Sequence, residues 1–461
     1  MKKYEQIERM SNEKYKRMIK LLFSSVMLLG LCGIYAFVWI GYYNKYIVQS
    51  GFGFFRRGNW LMVLLYGVLL TFFMKTYGGF KVGYLKNGNL IYSQIISVVF
   101  TNLFTYFQIA VIDKRFVGPA YIVIMTIVDI ALIVFWTQTF QTLYKNIFPP
   151  RKMVLISGER EDYHLRNKIN SREDKYEICK TISCKNELSI ISREIEEYDG
   201  VIIGDIPSHE RNVLLKFCYE KGIRSYSVPK ISDILLRSSV ELNLFDSPLL
   251  LSRNTGLTVE QSFFKRFEDI VVAFIMLIIF SPVFLITAAC IKLTDHGPIF
   301  YKQDRLTQGG KVFQIYKFRT MVMNAEESSG PILAEENDPR ITKIGRFLRR
   351  LRLDEAPQIL NILKGDMSVV GPRPERPELA AQICEEIPEF EYRLKVKAGL
   401  TGYAQVYGKY NTTSYDKLKL DLTYIRNFSF LLDFKLILMT PKIMLIKEST
   451  EGVKSRNNKH N

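Results

Sequence analysis

Two adjacent carboxylates, Asp354 and Glu355, stand where a basic amphipathic segment runs into a Gly/Pro/Arg loop, in the string RFLRRLRLDEAPQILNILKGDMSVVGPRP from Arg346 to Pro374. An ionised carboxylate can attack phosphorus or hold a hard cation, and arginines on either side would keep a polyanion beside it. The chemistry these residues support together is phosphate chemistry at a membrane surface. Upstream, Ile344, Phe347, Leu348 and Leu351 recur at helical spacing while Lys343, Arg346, Arg349 and Arg350 take the other face. That pattern suits a helix lying on an anionic bilayer. Asp354 falls where a helix N-cap would sit, with Glu355 in the first turn and Pro357, Gln358, Ile359 and Leu360 continuing the helix. Backbone N–H groups at a helix start, with the preceding arginines, would keep Asp354 ionised and attract phosphate or a metal–phosphate complex. An Asp-Glu pair before a helical run is also an ordinary cap, and these residues alone leave both readings open.

The elements that must position the pair begin with four apolar runs near Met18–Trp39, Trp60–Thr76, Leu90–Ile112 and Tyr121–Thr142. Each approaches the roughly 20 residues that cross a bilayer as a helix. Their length, low charge and concentration in one third of the chain argue against buried helices of a soluble domain. Lys and Arg crowd the N-terminus before the first run and return at Lys145–Lys152, so both ends of the bundle are expected in the cytoplasm; Arg56 and Arg57 in the first loop run against this. No small-residue cleavage site follows the first run, so a cleavable signal peptide is not expected. Net charge is +17, yet no zinc-finger spacing, recognition helix or base-stacking pattern accompanies it. Anionic lipid and diphosphates explain the charge better than nucleic acid does. Six cysteines without a CxxC pair and four scattered histidines form neither a disulfide framework nor a zinc site.

From Lys152 to about Pro229 the pattern turns to soluble α/β. Met153–Ile156, Tyr176–Ser183, Val201–Gly204 and Ile223–Val228 read as strands of a small parallel sheet with helices between them. The first strand ends in Ser157-Gly158-Glu159-Arg160, one glycine where a dinucleotide fingerprint needs three, so a spacer or regulatory role is expected. Residues 231–262 read as a connector. A fifth apolar run, Ile270–Leu293, is long enough to span, but Ser281-Pro282 divides it into halves of about 16–18 Å at 1.5 Å per residue. Lys265 and Arg266 before it and Lys292, Lys302 and Arg305 after it favour two cytoplasmic ends, hence a re-entrant helix-break-helix; length alone also permits a kinked span. The run Phe428–Ile446 carries Asp433, Lys435, Pro441 and Lys442 and reads as interfacial.

The segment from Phe263 to about Pro441 resembles the bacterial sugar transferase family, the monotopic phosphoglycosyl transferases that load a sugar phosphate onto a polyprenyl phosphate. The resemblance is carried by an ordered series: Lys265-Arg266-Phe267-Glu268-Asp269, Ser281-Pro282, Gly297-Pro298-Ile299-Phe300-Tyr301, Gln303-x-Arg305 and Lys317-Phe318-Arg319-Thr320-Met321. It continues through Asp338-Pro339-Arg340-Ile341-Thr342, Asp354-Glu355-Ala356-Pro357-Gln358, Gly365-Asp366-Met367-Ser368, Gly371-Pro372-Arg373-Pro374 and Gly399-Leu400-Thr401-Gly402. Ala398 and Tyr403 depart from the proline and tryptophan usual in the family around the last turn, which bears on that loop's shape alone.

The resemblance implies a membrane protein of the polytopic, exopolysaccharide type: a four-helix transmembrane domain (1–148), a Rossmann-like α/β domain (149–230), the connector, a mainly α-helical catalytic domain (263–448) with a re-entrant helix 266–293, and a polar tail (449–461). It implies that Asp354 attacks the β-phosphate of a UDP-sugar, releases UMP and passes the sugar phosphate to polyprenyl phosphate, while Glu355 holds Mg²⁺. Lys265, Arg266, Arg319 and Arg373 are the expected phosphate-binding cations. Asp269 is expected to lock the helix start by pairing with an arginine, and Ser281 and Pro282 to support the bend. Arg340 and Arg346 fit phosphate contact and structural pairing equally. The expected setting is the bacterial cell membrane with the catalytic domain facing the cytoplasm, and the expected company is the bilayer, a homodimer mate and downstream glycosyltransferases. A membrane-anchored nucleotide-sugar dehydratase or epimerase would need a Gly-rich NAD loop and a Tyr-x-x-x-Lys pair, and Asn411–Lys417 supplies neither. A non-catalytic scaffold would leave an intact carboxylate pair without a task.

Overall fold

The computed structural model describes residues 2–49, 54–158, 163–244, 246–252, 256–295, 297–322, 338, 340–409 and 412–444. It divides into two units, Met1–Pro229 and Lys230–Asn461. In the first, α1 (Lys2–Val38) passes through a π-helical turn, Trp39–Tyr43, into α2 (Asn44–Gln49), followed by α3 (Arg56–Tyr77), α4 (Asn87–Asp113) and α5 (Ala120–Ile147). Phe23, Met27, Leu31, Tyr35, Trp39 and Tyr43 recur every fourth residue and are all buried. From Met27 onward that stripe packs with Met62, Tyr66, Leu70 and Met74 of α3, while Phe23 packs with Val82 and Leu90; Leu22, Leu29, Phe37, Leu64 and Phe135 point outward. Helices apolar on both their packed and their open faces suit lipid. A polar network crosses this apolar interior: Tyr66 donates to Asn102 Oδ1 (3.0 Å), and Asn102 Nδ2 donates to Thr126 Oγ1 (2.9 Å) and Asp129 Oδ2 (3.0 Å). Among the described residues five helices are long and apolar enough to cross a membrane, four of them here, over the runs read from the sequence.

The sheet that follows has β1 (Arg151–Ser157), β2 (Tyr176–Ser183), β3 (Gly200–Ile203) and β4 (Arg224–Ser227) in the order β2-β1-β3-β4, all parallel. The connecting helices are α6 (Tyr163–Asn170), α7 (Leu188–Glu196) and α8 (Ser208–Glu220). The central strands β1 and β3 are near-continuous apolar runs, as parallel strands covered on both faces must be. Gly158 has a packing reason: a Cβ there would stand 2.1 Å from the Asp205 carbonyl oxygen.

In the second unit, the stretch 231–262 is more than a connector. It forms α9 (Ile231–Arg237) and an antiparallel hairpin of β5 (Val240–Leu244) and β6 (Ser247–Leu251). Ile234 enters the unit's core, and Arg426 donates to Ser238 Oγ (2.7 Å) and the Leu235 carbonyl (3.2 Å). Thr258 and Gln261 exchange hydrogen bonds (3.0 and 3.3 Å) as a capping box that starts α10 (Val259–Asp295). The expected break at Ser281-Pro282 is not a break in the helix, which runs through Pro282 as one element. Ser281 Oγ donates to the Ile278 carbonyl (2.8 Å), and neighbouring turns carry the helix past the missing proline donor. One stripe of α10, including Ala273, Met276, Phe280 and Phe284, packs on the core, while Phe274, Ile278, Ile279, Leu285 and Ile286 are exposed on the other side.

The hairpin β7 (Phe300–Leu306) and β8 (Val312–Phe318) follows, then α11 (Lys343–Arg350), α12 (Gln358–Lys364) and β9 (Ser368–Val370). Next are α13 (Pro377–Glu386), β10 (Gly399–Thr401), α14 (Tyr403–Tyr407), α15 (Ser414–Arg426) and α16 (Phe430–Met444), with β10 pairing parallel to β9. The unit is thus mainly helical but carries small sheets that helical periodicity does not announce. In α16, Asp433 and Lys442 turn inward while Phe430, Leu431 and Phe434 stay exposed. Its Asp433 is fully buried, accepting from Lys265 and from the Tyr424 hydroxyl (2.9 Å), and Leu436 and Met439 lie in the core. The expected tail 449–461 lies outside the described residues.

Candidate active site

Asp354 and Glu355 sit in a single 3₁₀ turn, Leu353–Glu355, and not at an N-cap; α12 begins only at Gln358, after Pro357. Arg352 enters that turn in the left-handed region (φ 54°), a sparsely populated conformation for a residue with a Cβ. What holds the turn is apolar. Leu353 and Ala356 pack on a cluster of Ile291, Phe318 and Leu348, so the second half of α10, the end of β8 and α11 meet beneath the carboxylates. Thr342 caps α11 by accepting from the Gly345 N–H (2.9 Å), and Arg349 Nε donates to Thr320 Oγ1 (2.9 Å), which ties α11 to the segment leaving β8. Phe347 stays exposed, whereas Leu348 is buried.

Two cations converge on one oxygen of the pair. Lys317 Nζ and Arg373 Nη2 donate to Glu355 Oε1 at 3.0 and 2.8 Å. Burial works to raise Glu355, but the charges of Arg373 and Lys317 outweigh it and hold the group well below the usual carboxylate range. Asp354 moves the other way: burial, then the neighbouring Glu355 charge, push it up to about 6 against the pull of Lys317 and Arg349. Two adjacent carboxyls driven apart in this way are suited to different roles.

Arg373 belongs to a loop clamped from several sides. Arg305 Nη1 donates to the Pro374 carbonyl (3.1 Å), and Arg393 Nη2 donates to the Arg373 carbonyl (2.9 Å) while pairing with Asp421 (2.8 Å). The glycines of the two flanking motifs interlock through their main chains. A Cβ on Gly399 would stand 2.0 Å from the Gly371 nitrogen, and one on Gly402 2.1 Å from the Gly371 oxygen. Ala398, at the family's usual proline position, donates its N–H to Thr307 Oγ1 (3.3 Å), a bond a proline has no hydrogen to make.

The remaining expected residues are not all gathered there. Lys265 is buried between Asp433 and Asp269, the latter at 3.4 Å, so its charge is met inside the fold, away from Glu355. Arg266 donates to the Ile362 and Leu363 carbonyls (2.6 and 2.7 Å) and caps the C-terminal end of α12. Asp269 locks the helix start, though through Lys265, Ser368 Oγ (2.8 Å) and the Val369 N–H (2.9 Å) and not through an arginine. Arg319 is buried at the end of β8, and its N–H donates to the Ile299 carbonyl (3.0 Å). Arg340 pairs with Asp338 (2.6 Å) and Arg346 is exposed. Ser281 and Pro282 lie mid-helix in α10.

Sequence reasoning overlooked Lys317 as a site residue. Its signal was parity: Phe313, Ile315 and Lys317 alternate onto one face of β8, and a lysine ending an inward series needs an anion. Asn361 was overlooked too. Its Oδ1 accepts from the Tyr316 N–H (2.9 Å) and its Nδ2 donates to the Gln314 carbonyl (2.7 Å), fastening α12 along the edge of β8 and so setting the turn against Lys317.

Among the described residues no group of three or more His, Cys, Asp or Glu side chains is arranged to hold a metal. Both cations fall on Glu355 Oε1, so Oε2 remains as the oxygen this carboxylate can turn to a cation. One or two carboxylate oxygens completed by substrate phosphates and water is a donor set that Mg²⁺ accepts.

The sequence model of the family described as Bacterial sugar transferase matches residues 260–447, the segment that contains the whole site. The chain is 43% identical over 187 residues to the UDP-N-acetylgalactosamine-undecaprenyl-phosphate N-acetylgalactosaminephosphotransferase of Aeromonas hydrophila, covering 40% of this chain and 44% of that protein. It is 42% identical over 247 residues to the UDP-glucose:undecaprenyl-phosphate glucose-1-phosphate transferase of Klebsiella pneumoniae, covering 52% and 51%. The chain thus spans about half the length of these two relatives. An uncharacterized sugar transferase of Bacillus subtilis, EpsL, is 40% identical over 188 residues, which are 41% of this chain but 90% of that protein. With nearly all of one relative aligned on the segment that folds around Asp354 and Glu355, the chain belongs to the bacterial sugar transferase family.

Proposed function

We propose that this protein transfers a sugar-1-phosphate from a UDP-sugar to polyprenyl phosphate through an aspartyl intermediate. The observation that carries the reading is the split pair: Asp354, pushed up to about 6, beside a Glu355 held ionised by Lys317 and Arg373. At neutral pH Asp354 is mostly ionised, yet more basic than an ordinary carboxylate and so a better nucleophile. Its oxygen attacks the β-phosphorus, the bond to the α-phosphate oxygen breaks, and UMP leaves. A phosphate oxygen of the polyprenyl acceptor then attacks the same phosphorus, which frees Asp354 and yields the lipid diphosphosugar. Arg373, half-exposed above Glu355, is placed to receive diphosphate oxygens. Glu355 would hold Mg²⁺, which when bound offsets phosphate charge. The names of the relatives support the reaction class.

The catalytic unit is read as facing the cytoplasm, with α10 re-entrant in the membrane. The packing of α10 supports this: Asp269 near its start and Ile291 near its end both pack within the same unit, while an apolar face stays open between them. Mass spectrometry of the protein mixed with UDP-sugar and no acceptor tests the chemistry. Phosphosugar on the peptide bearing Asp354 is the expected result, and an adduct on another residue overturns the assigned nucleophile.

A further inference from the structure

A large cavity lies far in sequence from the catalytic motifs, inside the first unit, lined by residues of the helical bundle and of the α/β domain. Its volume is about 1020 Å³, at the upper end of the roughly 300–1,000 Å³ typical of small-molecule sites. Its wall is cationic. α1 contributes Lys16, Arg17 and Lys20, and the N-terminal ends of three parallel strands contribute Arg151, Lys175 and Arg224. Asp174 is the one carboxylate among the lining residues, and Arg172 already holds it at 2.8 and 2.9 Å.

Basic residues near a membrane helix are expected from topology alone, but those would spread outward over the headgroups. Here they converge from separate elements onto one concavity, and aromatic rings are threaded between them. The Tyr84 ring serves two ammonium groups, Lys20 and Lys175, each 4.5 Å from its centroid, and Lys16 lies 4.8 Å from that of Phe148. Gly83, at φ 69°, makes room for the ring of Tyr144, whose hydroxyl would stand 2.6 Å from a Cβ. Burial pulls both Lys175 and Arg151 below their ordinary ranges, with the nearby Arg224 adding to the effect on Arg151. The same cavity is also lined by the apolar Leu21, Leu28 and Phe80, and Leu21 is largely exposed on the apolar run of α1. A purely soluble anion has no use for that apolar wall.

We propose that this cavity binds the phosphate-bearing headgroup of an anionic membrane lipid, with the acyl chains lying along the Leu21–Leu28 face of α1. The chemistry is phosphate held by a cationic, aromatic-lined surface, and the apolar wall selects the lipid over free phosphate or nucleotide. Such a lipid would join the bundle to the α/β domain.

Native mass spectrometry of the full chain ejected from phosphatidylcholine nanodiscs doped with phosphatidylglycerol tests the proposal. The protein should retain phosphatidylglycerol selectively, and Lys175→Ala with Arg224→Ala should weaken retention roughly 25-fold, at about fivefold per lost cation. The charge-keeping pair Lys175→Arg with Arg224→Lys should retain the lipid, which separates loss of charge from loss of fold. The exposed cations Arg166 and Lys216 serve as the control, and their alanine variants should bind as the parent does. Undiminished retention by the neutralised variant, equal loss in the charge-keeping variant, or full displacement by inorganic phosphate would overturn the proposal.

Discussion

Replacing Asp354 by asparagine should abolish turnover and at the same time make the protein more stable, and the size of that gain follows from the site. The carboxyl is raised from 3.8 to about 6, chiefly by burial and then by the charge of Glu355. A folded value above the ordinary one means that the ionised form is disfavoured in the fold. The penalty is therefore fully present above about pH 6 and disappears as pH falls toward 3.8. About two units at 1.36 kcal/mol each is roughly 3 kcal/mol, and partial exposure of the side chain reduces this to about 1–2 kcal/mol. For a unit of this size that corresponds to a rise in Tm of roughly 2–8 °C at pH 7.5. At pH 5 the gain should be about half as large, because the parent's Asp354 is then already mostly protonated. Scanning calorimetry of the detergent-solubilised full chain at both pH values measures this, alongside UMP release. An asparagine variant less stable than its parent at pH 7.5, or a gain equal at the two pH values, would refute the argument that the fold holds Asp354 against its preference.

Lys317→Met should move the acid limb of UMP release upward from about pH 6 by roughly one unit, since a cation that favours the Asp354 carboxylate is gone. Lys317→Arg should leave the limb in place, and a limb unmoved in the methionine variant would mean that Lys317 acts on substrate alone. Pro282→Ala gives α10, already continuous at this point, a backbone donor for the Ile278 carbonyl that Ser281 Oγ now serves, and should favour a straight, spanning helix. A cysteine placed near Lys302 reports it, and external labelling already in the parent would refute the re-entrant reading. A chain starting at Lys230 should release UMP, whereas one starting at Gln261 loses Ile234 from the core and the Arg426 contacts to Leu235 and Ser238, and should unfold at lower temperature. Equal melting of the two would contradict the place given to α9.

The membrane helices and the parallel sheet were legible because each is written in one period: long apolar runs for the helices, short β-branched runs between charged helical stretches for the strands. The site was legible as a motif but not as a geometry. Asp354 reads as a cap because an acidic residue before a helical pattern usually is one, yet Pro357 and the left-handed Arg352 delay the helix and leave the pair on a tight turn. Lys265 reads as a phosphate ligand because a lysine beside an apolar run has water or phosphate as its usual partners. Its partner is instead Asp433, 168 residues away, and no local pattern pairs them. The same long-range pair explains why α16 reads as interfacial: Asp433 faces inward.

Under the proposed function, the interlocked glycines 371, 399 and 402 bear on how one scaffold would serve different sugars. Where main chain touches main chain, no side chain is available to vary, so the loop presenting Arg373 can change little without being rebuilt. Diphosphate is common to every UDP-sugar, and a grip fixed by backbone suits a common handle. Choice among sugars would then have to arise from side chains elsewhere around the Asp354 turn, and swapping such residues between relatives should change the donor accepted while the diphosphate grip stays as it is.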